Sequence, residues 1–113
     1  MSGSFEKREK SFEAKWAHDE ELQFKTFARR NKLLGLWAAA EMRIIGPAAD
    51  SYAKEVVASD FERAGDEDVF EKVRRDFDAR GVAISDHLIR RKMEELLQVA
   101  KRQIESEISS PGH

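Results

Sequence analysis

The chain of 113 residues contains no cysteine. This absence excludes disulfides, thiolate nucleophiles and thiolate zinc sites, and it fits a reducing compartment. No apolar run approaches the ~20 residues that a membrane-spanning helix needs. The opening residues carry mixed charges instead of the apolar core of a secretory signal. The sequence therefore predicts a soluble, cytoplasmic protein with no direct membrane insertion.

Charge of one sign is not in excess either. Lys and Arg number 20 and Asp and Glu number 22, which leaves a formal net charge of -2. A protein that binds nucleic acid through its phosphates presents an excess of basic residues, so this balance disfavours general DNA or RNA binding. With 41% hydrophobic and 37% charged residues, the composition predicts one folded domain with a heavily charged surface.

Helix-breaking residues are scarce, with two prolines and six glycines, and the first proline is Pro47. Over residues 4–45, apolar side chains recur at helical spacing, and helix propensity agrees with that spacing. The resulting apolar strip consists of Phe5, Phe12, Trp16, Phe27, Leu34, Ala38 and Ile45. The sequence predicts one continuous amphipathic helix here, which ends at Gly46 and Pro47.

Two further amphipathic helices are predicted after Pro47. The first covers residues 47 to about 63 and is ended by Ala64 and Gly65. The second has Asp66 as its N-cap and closes at Gly81.

The last helix has the clearest start in the sequence. Ser85 is placed to cap it, while Ile84 and Ile89 occupy the two positions of a hydrophobic staple. No segment shows the alternating pattern of a strand. We therefore predict an all-α protein, a four-helix bundle-like domain with a long first helix and a mobile N-terminal segment. Residues 18–108 form the four-helix domain, and residues 109–113 form a frayed C-terminal tail.

The predicted first helix is too long for the domain to cover. It would measure roughly 60 Å, about twice the span of a small helical domain. Residues 1–17 should then project as a segment that is mobile when unbound and becomes helical on a partner. Phe5, Phe12 and Trp16 would form an exposed apolar strip that docks into a groove, although aromatic residues at this spacing are also typical of an ordinary core.

Other candidate sites have weaker patterns. Arg29, Arg30 and Lys32 form a basic cluster typical of phosphate binding or of a solvated helix face. The polar run at residues 18–21 has too few ligands for a metal site. No phosphate-binding loop, nucleophile motif or paired His and carboxylate motif is present, so we predict no enzyme, no metal and no cofactor.

The chain resembles a known family over residues 5–108. The N-terminal half carries the runs FEKRE, FEAK, AHDEE, ARRNKLLG and WAA at residues 5–9, 12–15, 17–21, 28–35 and 37–39. The downstream half carries YA, SDFE, GDEDVF and IRRKM at residues 52–53, 59–62, 65–70 and 89–93. These runs resemble the zeta subunit of bacterial F-type ATP synthases.

The resemblance implies a function in regulation. A member of this family inhibits ATP hydrolysis by inserting its N-terminal helix into the catalytic head, among the alpha, beta and gamma subunits and beside the rotor. It blocks rotation in the hydrolysis direction and permits synthesis. The protein would be a monomer when free, cytoplasmic, and peripheral to the inner membrane through the synthase.

The resemblance and the apolar strip together give the candidate site residues. Those for inhibition and partner binding are Phe5, Glu6, Lys7, Arg8, Glu9, Phe12, Lys15 and Trp16. Arg29, Arg30 and Lys32 are candidate secondary contacts. The alternative is a small helical adaptor that binds nucleotide or nucleic acid through those three basic residues, and weak nucleotide binding stays open beside inhibition.

Overall fold

A computed structural model describes residues 2–60 and 66–109, with the backbone alone described for residues 2–9 and 109. Within these ranges the chain forms helices and no strand, which confirms the all-α prediction. The five described helices are α1 (Ser2–His18), α2 (Glu20–Glu41), α3 (Pro47–Ala58), α4 (Glu67–Ala79) and α5 (Asp86–Ser109).

The predicted long first helix is two helices, because the chain breaks at Asp19. The backbone of Asp19 is extended, with φ -115 and ψ 101, and its side chain accepts a hydrogen bond of 3.0 Å from the backbone N–H of Leu22. Glu20 and Glu21 follow in the first turn of α2, where the positive end of a helix favours anions. This capping starts α2 and ends α1 at His18, so the prediction of one continuous helix was wrong.

Helix α2 also ends earlier than predicted, at Glu41 and not at Gly46. Arg43 has a φ of 60, and the N–H of Ile44 donates to the carbonyl of Ala39 at 2.8 Å. This is the hydrogen bonding of a helix end closed by a left-handed residue, here an arginine where glycine is usual. As a consequence Ile45, a predicted member of the apolar strip, lies in the loop and is 82% exposed.

Helix α3 is shorter than predicted. It ends at Ala58, and the hydroxyl of Ser59 donates to the carbonyl of Val56 at 2.6 Å. The predicted stop at Ala64 and Gly65 lies outside the described residues.

The predicted starts of α4 and α5 have different outcomes. Asp66 precedes α4, as predicted, but its side chain makes no capping hydrogen bond and instead accepts one from Arg30 at 2.9 Å. Ser85 does cap α5, since its Oγ accepts a hydrogen bond of 3.1 Å from the N–H of Leu88. Gly81, with a φ of 70, follows the end of α4 as expected.

The main core lies around α2, which packs against α3 and α5. Its buried members are Leu34, Ala38, Ala39, Met42, Tyr52, Val56, Val69, Phe70, Val73, Phe77, Ile89 and Met93. Phe77 is fully buried, and its ring packs edge-on against that of Trp37, with 5.7 Å between the two ring centres.

Helices α2 and α3 approach closely at Gly35, where a Cβ atom would lie 2.6 Å from the Cα of Ala53. This contact explains a glycine inside a helix, where it costs about 1 kcal/mol relative to alanine.

A hydrogen-bonded pair joins α3 to α4 and gives the protein a predicted pH dependence. The hydroxyl of Tyr52 donates to Asp76 at 2.7 Å, and Lys72 lies 2.9 Å from the same carboxylate. Burial, then the hydrogen bond to Asp76, raises the pKa of Tyr52 well above its usual value of 10.0. Above about pH 10 the unfolded chain therefore loses the phenol proton while the folded protein keeps it, and the free energy of unfolding falls as pH rises.

The matched control for this pH dependence is Tyr52→Phe. Denaturant unfolding of both proteins on either side of pH 10 should show the wild type losing stability relative to the variant as pH rises. Tyr52 is the only tyrosine in the chain, so the absorbance of its phenolate measures its titration directly. A phenolate that forms at the ordinary pKa in the folded protein would contradict the prediction.

Candidate partner-binding site

Helix α1 does not carry Phe12 and Trp16 out into solvent. Phe12 is only 7% exposed and lies in a small apolar cluster with Leu22 and Ile104, against which Trp16 also packs. The prediction that these two aromatic side chains project was wrong. Its premise was a helix continuous with α2, whereas the break at Asp19 lets α1 fold against α2 and α5.

The indole of Trp16 contacts both α2 and α5. Its Nε1–H donates to the Oγ1 of Thr26 at 3.0 Å, and its ring centre lies 5.9 Å from that of Phe27. The Nζ of Lys101 lies 4.1 Å from the centre of the same ring, within the range of a cation–π contact. The carbonyl of Trp16, at the end of α1, accepts hydrogen bonds from the side chain of Gln23 at 2.8 Å and from the N–H of Asp19 at 3.4 Å.

The residues that hold α1 form a surface that we call the α1 slot. It consists of Leu22, Thr26, Phe27, Lys101 and Ile104. Thr26 is fully buried, and its hydroxyl donates to the carbonyl of Leu22 at 2.7 Å, which leaves its oxygen free to accept the indole N–H.

Over residues 10–18, the exposed side chains of α1 are mostly polar. Glu13 is exposed and lies 3.4 Å from Lys101, so an ion pair also crosses from α1 to the slot. Lys15 is exposed, as a residue that meets a partner should be. The α1 backbone includes Phe5, Glu6, Lys7, Arg8 and Glu9, but their side chains lie outside the described residues, so their roles stay predictions.

Arg29 and Arg30 contact different parts of the chain and already hold carboxylates. The guanidinium of Arg29 lies 2.7 Å from Glu107 on α5. Arg30 is 1% exposed, lies over the ring of Phe27 at 5.3 Å and pairs with Asp66 at 2.9 Å. The interpretation of Arg30 as part of a solvated helix face was therefore wrong. Its side chain instead links α2 to Asp66 at the start of α4.

Lys32 is the exposed member of the basic cluster. It lies on an open groove between α2 and α3 that Asp50 and Lys54 also line. The structure therefore does not bring Arg29, Arg30 and Lys32 together into one phosphate-binding surface.

The described residues show no metal site and no membrane-spanning helix. Among them, no group of three or more His, Cys, Asp and Glu side chains is arranged to hold a metal ion. None of the described helices has the length and apolar character needed to cross a bilayer. In the polar run at residues 18–21, Asp19 acts as a helix cap.

Sequence reasoning missed the α1 slot, although the helix break at Asp19 that allows it had a detectable signal in the sequence. Glu20 and Glu21 follow Asp19 in the sequence, as Glu67 and Asp68 follow the predicted N-cap Asp66, and this pattern is a signal for the start of a helix. The partners Thr26 and Lys101 had none, because their contact with Trp16 depends on how α1, α2 and α5 pack in space.

The described geometry defines a small all-α protein whose candidate site is the helix α1 together with the α1 slot on which it packs. Comparison with protein families identifies the family: the chain belongs to the ATPase inhibitor subunit zeta family, whose model matches residues 1–103. Membership of an inhibitor family indicates a regulatory protein that acts with ATP synthase. The match confirms the family that the sequence motifs indicated.

A solved structure agrees with the fold. It is described as a solution NMR structure, shares 48% sequence identity with this chain, and matches with a TM-score of 0.68 over 76% of this chain and 98% of that one. No curated protein matches the chain.

Proposed function

We propose that this protein inhibits ATP hydrolysis by an F-type ATP synthase, with α1 as the inhibitory element. The observation that carries the proposal is the family match over residues 1–103, which includes the whole of α1. A second observation supports it: Phe12 and Trp16, on the described part of α1, pack in a cluster separate from the main core. A helix held in this way can be used by a partner without dismantling the bundle.

In the proposed mechanism α1 inserts into the catalytic head beside the rotor, among the alpha, beta and gamma subunits. Phe5, Phe12 and Trp16 supply apolar anchors, since buried aromatic side chains dominate the energetics of interfaces. The cations Lys7, Arg8 and Lys15 meet acidic or backbone groups of the head. The bundle remains outside and limits how far the helix enters.

The proposed block acts in one direction of rotation. The inserted helix blocks rotation in the hydrolysis direction and permits rotation in the synthesis direction. The protein is then a monomer when free and is bound at the cytoplasmic side of the bacterial inner membrane only through the synthase. The adaptor alternative has less support, because Arg29 and Arg30 already pair with Glu107 and Asp66.

An assay of the cognate synthase tests this proposal. Adding the full chain to inner-membrane vesicles should reduce ATP hydrolysis in a concentration-dependent way and leave proton-driven ATP synthesis nearly unchanged. The matched control is Lys54→Gln, an exposed position on α3 away from α1, which should inhibit like the wild type. Equal loss of both activities, or no loss of hydrolysis, would contradict the proposed function.

A further inference from the structure

The α1 slot and the proposed docking site in the synthase compete for the same side chains. Phe12 is 7% exposed and Trp16 is half-buried, and both are covered by α2 and α5. An apolar side chain cannot be buried in two places at once, so α1 must leave the slot before its aromatic strip can dock elsewhere.

The described contacts that hold α1 involve few residues. They comprise one small apolar cluster, the hydrogen bond from Trp16 to Thr26, the ring contact of Trp16 with Phe27, the hydrogen bond from Gln23 to the Trp16 carbonyl, and the Lys101 contacts with Trp16 and Glu13. The main core contains none of these residues. Release of α1 therefore leaves the main core intact, with Asp19 between two separate helices as the point where the direction of the chain changes.

We infer that the docked α1 is an autoinhibited form of this inhibitor, in which the α1 slot acts as an intramolecular competitor of the synthase head. The inference rests on the proposed function. Only the fraction of molecules with α1 released can inhibit, so the apparent potency is the intrinsic potency multiplied by that fraction. Weakening the slot without touching α1 should then make the protein a stronger inhibitor.

Thr26→Val is the sharpest variant for this test. Valine has nearly the shape of threonine but lacks the hydroxyl, so the docked Trp16 indole N–H would lose its acceptor at a half-buried position, whereas the released indole can bind water. We expect the release equilibrium to shift roughly ten-fold and the concentration for half-inhibition to fall by a similar factor. Thr26→Ser retains the hydroxyl and should stay close to the wild type.

A second pair of variants replaces lysines that lie outside the buried apolar cluster. Lys101→Gln removes the cation that faces Trp16 and Glu13, and it should also lower the concentration for half-inhibition, by a few-fold. Lys54→Gln removes a charge from α3 and should change nothing. Unchanged potency in both Thr26→Val and Lys101→Gln would overturn the inference.

A covalent lock provides the opposite test. The chain has no cysteine, so Glu13→Cys with Lys101→Cys places the only two thiols on α1 and in the slot. A short, cleavable thiol-reactive bridge between them should abolish inhibition, and cleavage should restore it. A bridged protein that inhibits as well as the unbridged one would overturn the inference.

Hydrogen exchange of the Trp16 indole N–H separates failure of the slot from failure of the proposed function. In the free wild type this proton should be protected, and Thr26→Val should reduce the protection. An unprotected indole in the wild type overturns the autoinhibited form, whatever the assay shows. A protected indole, with no inhibition by any variant, overturns the proposed function and with it the competition. A dimer in solution whose protected indole becomes exposed on dilution would place α1 in the slot of a second copy and would overturn the intramolecular contact.

Discussion

Deleting residues 1–17 is expected to abolish inhibition of ATP hydrolysis and to lower the free energy of unfolding by about 1 to 3 kcal/mol. Inhibition is lost because the proposed inhibitory helix is gone. Stability falls because the deletion removes Phe12 from its cluster with Leu22 and Ile104 and removes Trp16 from Thr26. The loss is partly offset because α1 no longer has to be ordered.

The shorter deletion of residues 1–9 is the matched control. It keeps the described side-chain contacts of Phe12, Glu13 and Trp16, so the free energy of unfolding should fall by less than in the longer deletion. It should still weaken inhibition, because Phe5, Lys7 and Arg8 are lost. Denaturant unfolding and hydrolysis assays on both deletions check these outcomes. Full inhibition by the longer deletion would place the block in the bundle and contradict the role of α1.

Phe77→Ala should lower the free energy of unfolding by about 3 to 5 kcal/mol. Phe77 is fully buried in the main core, and its ring contacts Trp37 edge-on, so alanine leaves a cavity that the packed helices fill only in part. Because a domain of this size is stable by only about 5 to 15 kcal/mol, the variant should unfold at a clearly lower denaturant concentration.

Phe24→Ala is the control that makes the same chemical change at a surface position. Phe24 is 75% exposed on α2, so its replacement should change the free energy of unfolding by less than about 0.5 kcal/mol. Unfolding in denaturant, followed by circular dichroism, measures both variants. Similar losses in the two would refute the assignment of Phe77 to the core.

The helical class and part of the core were predictable because they depend on local patterns. The period of apolar residues placed Leu34 and Ala38 on the apolar strip, and both are buried, while the capping signal at Ser85 placed the start of α5 correctly. These features follow from neighbours three or four positions apart in the chain. The structure confirms them.

The helix ends that failed depend on competition between signals. The apolar period continues smoothly past Asp19, but the capping carboxylate and two following glutamates end one helix and start another. Arg43 closes α2 in a left-handed conformation that favours glycine, so Gly46 was the more obvious stop in the sequence. The burial of Phe12 and Arg30 could not be predicted, because Ile104 and Asp66 meet them from distant parts of the chain.

The separation between the two apolar clusters also bears on how the stability of this protein should be expressed. The cluster of Phe12, Leu22 and Ile104 shares no residue with the main core, so the contacts of α1 can be lost in a transition of their own. A single free energy of unfolding assumes that every probe reports one cooperative event. We therefore expect a probe at Trp16 to report the loss of the α1 contacts and a probe at Trp37 to report unfolding of the main core, each with its own equilibrium constant.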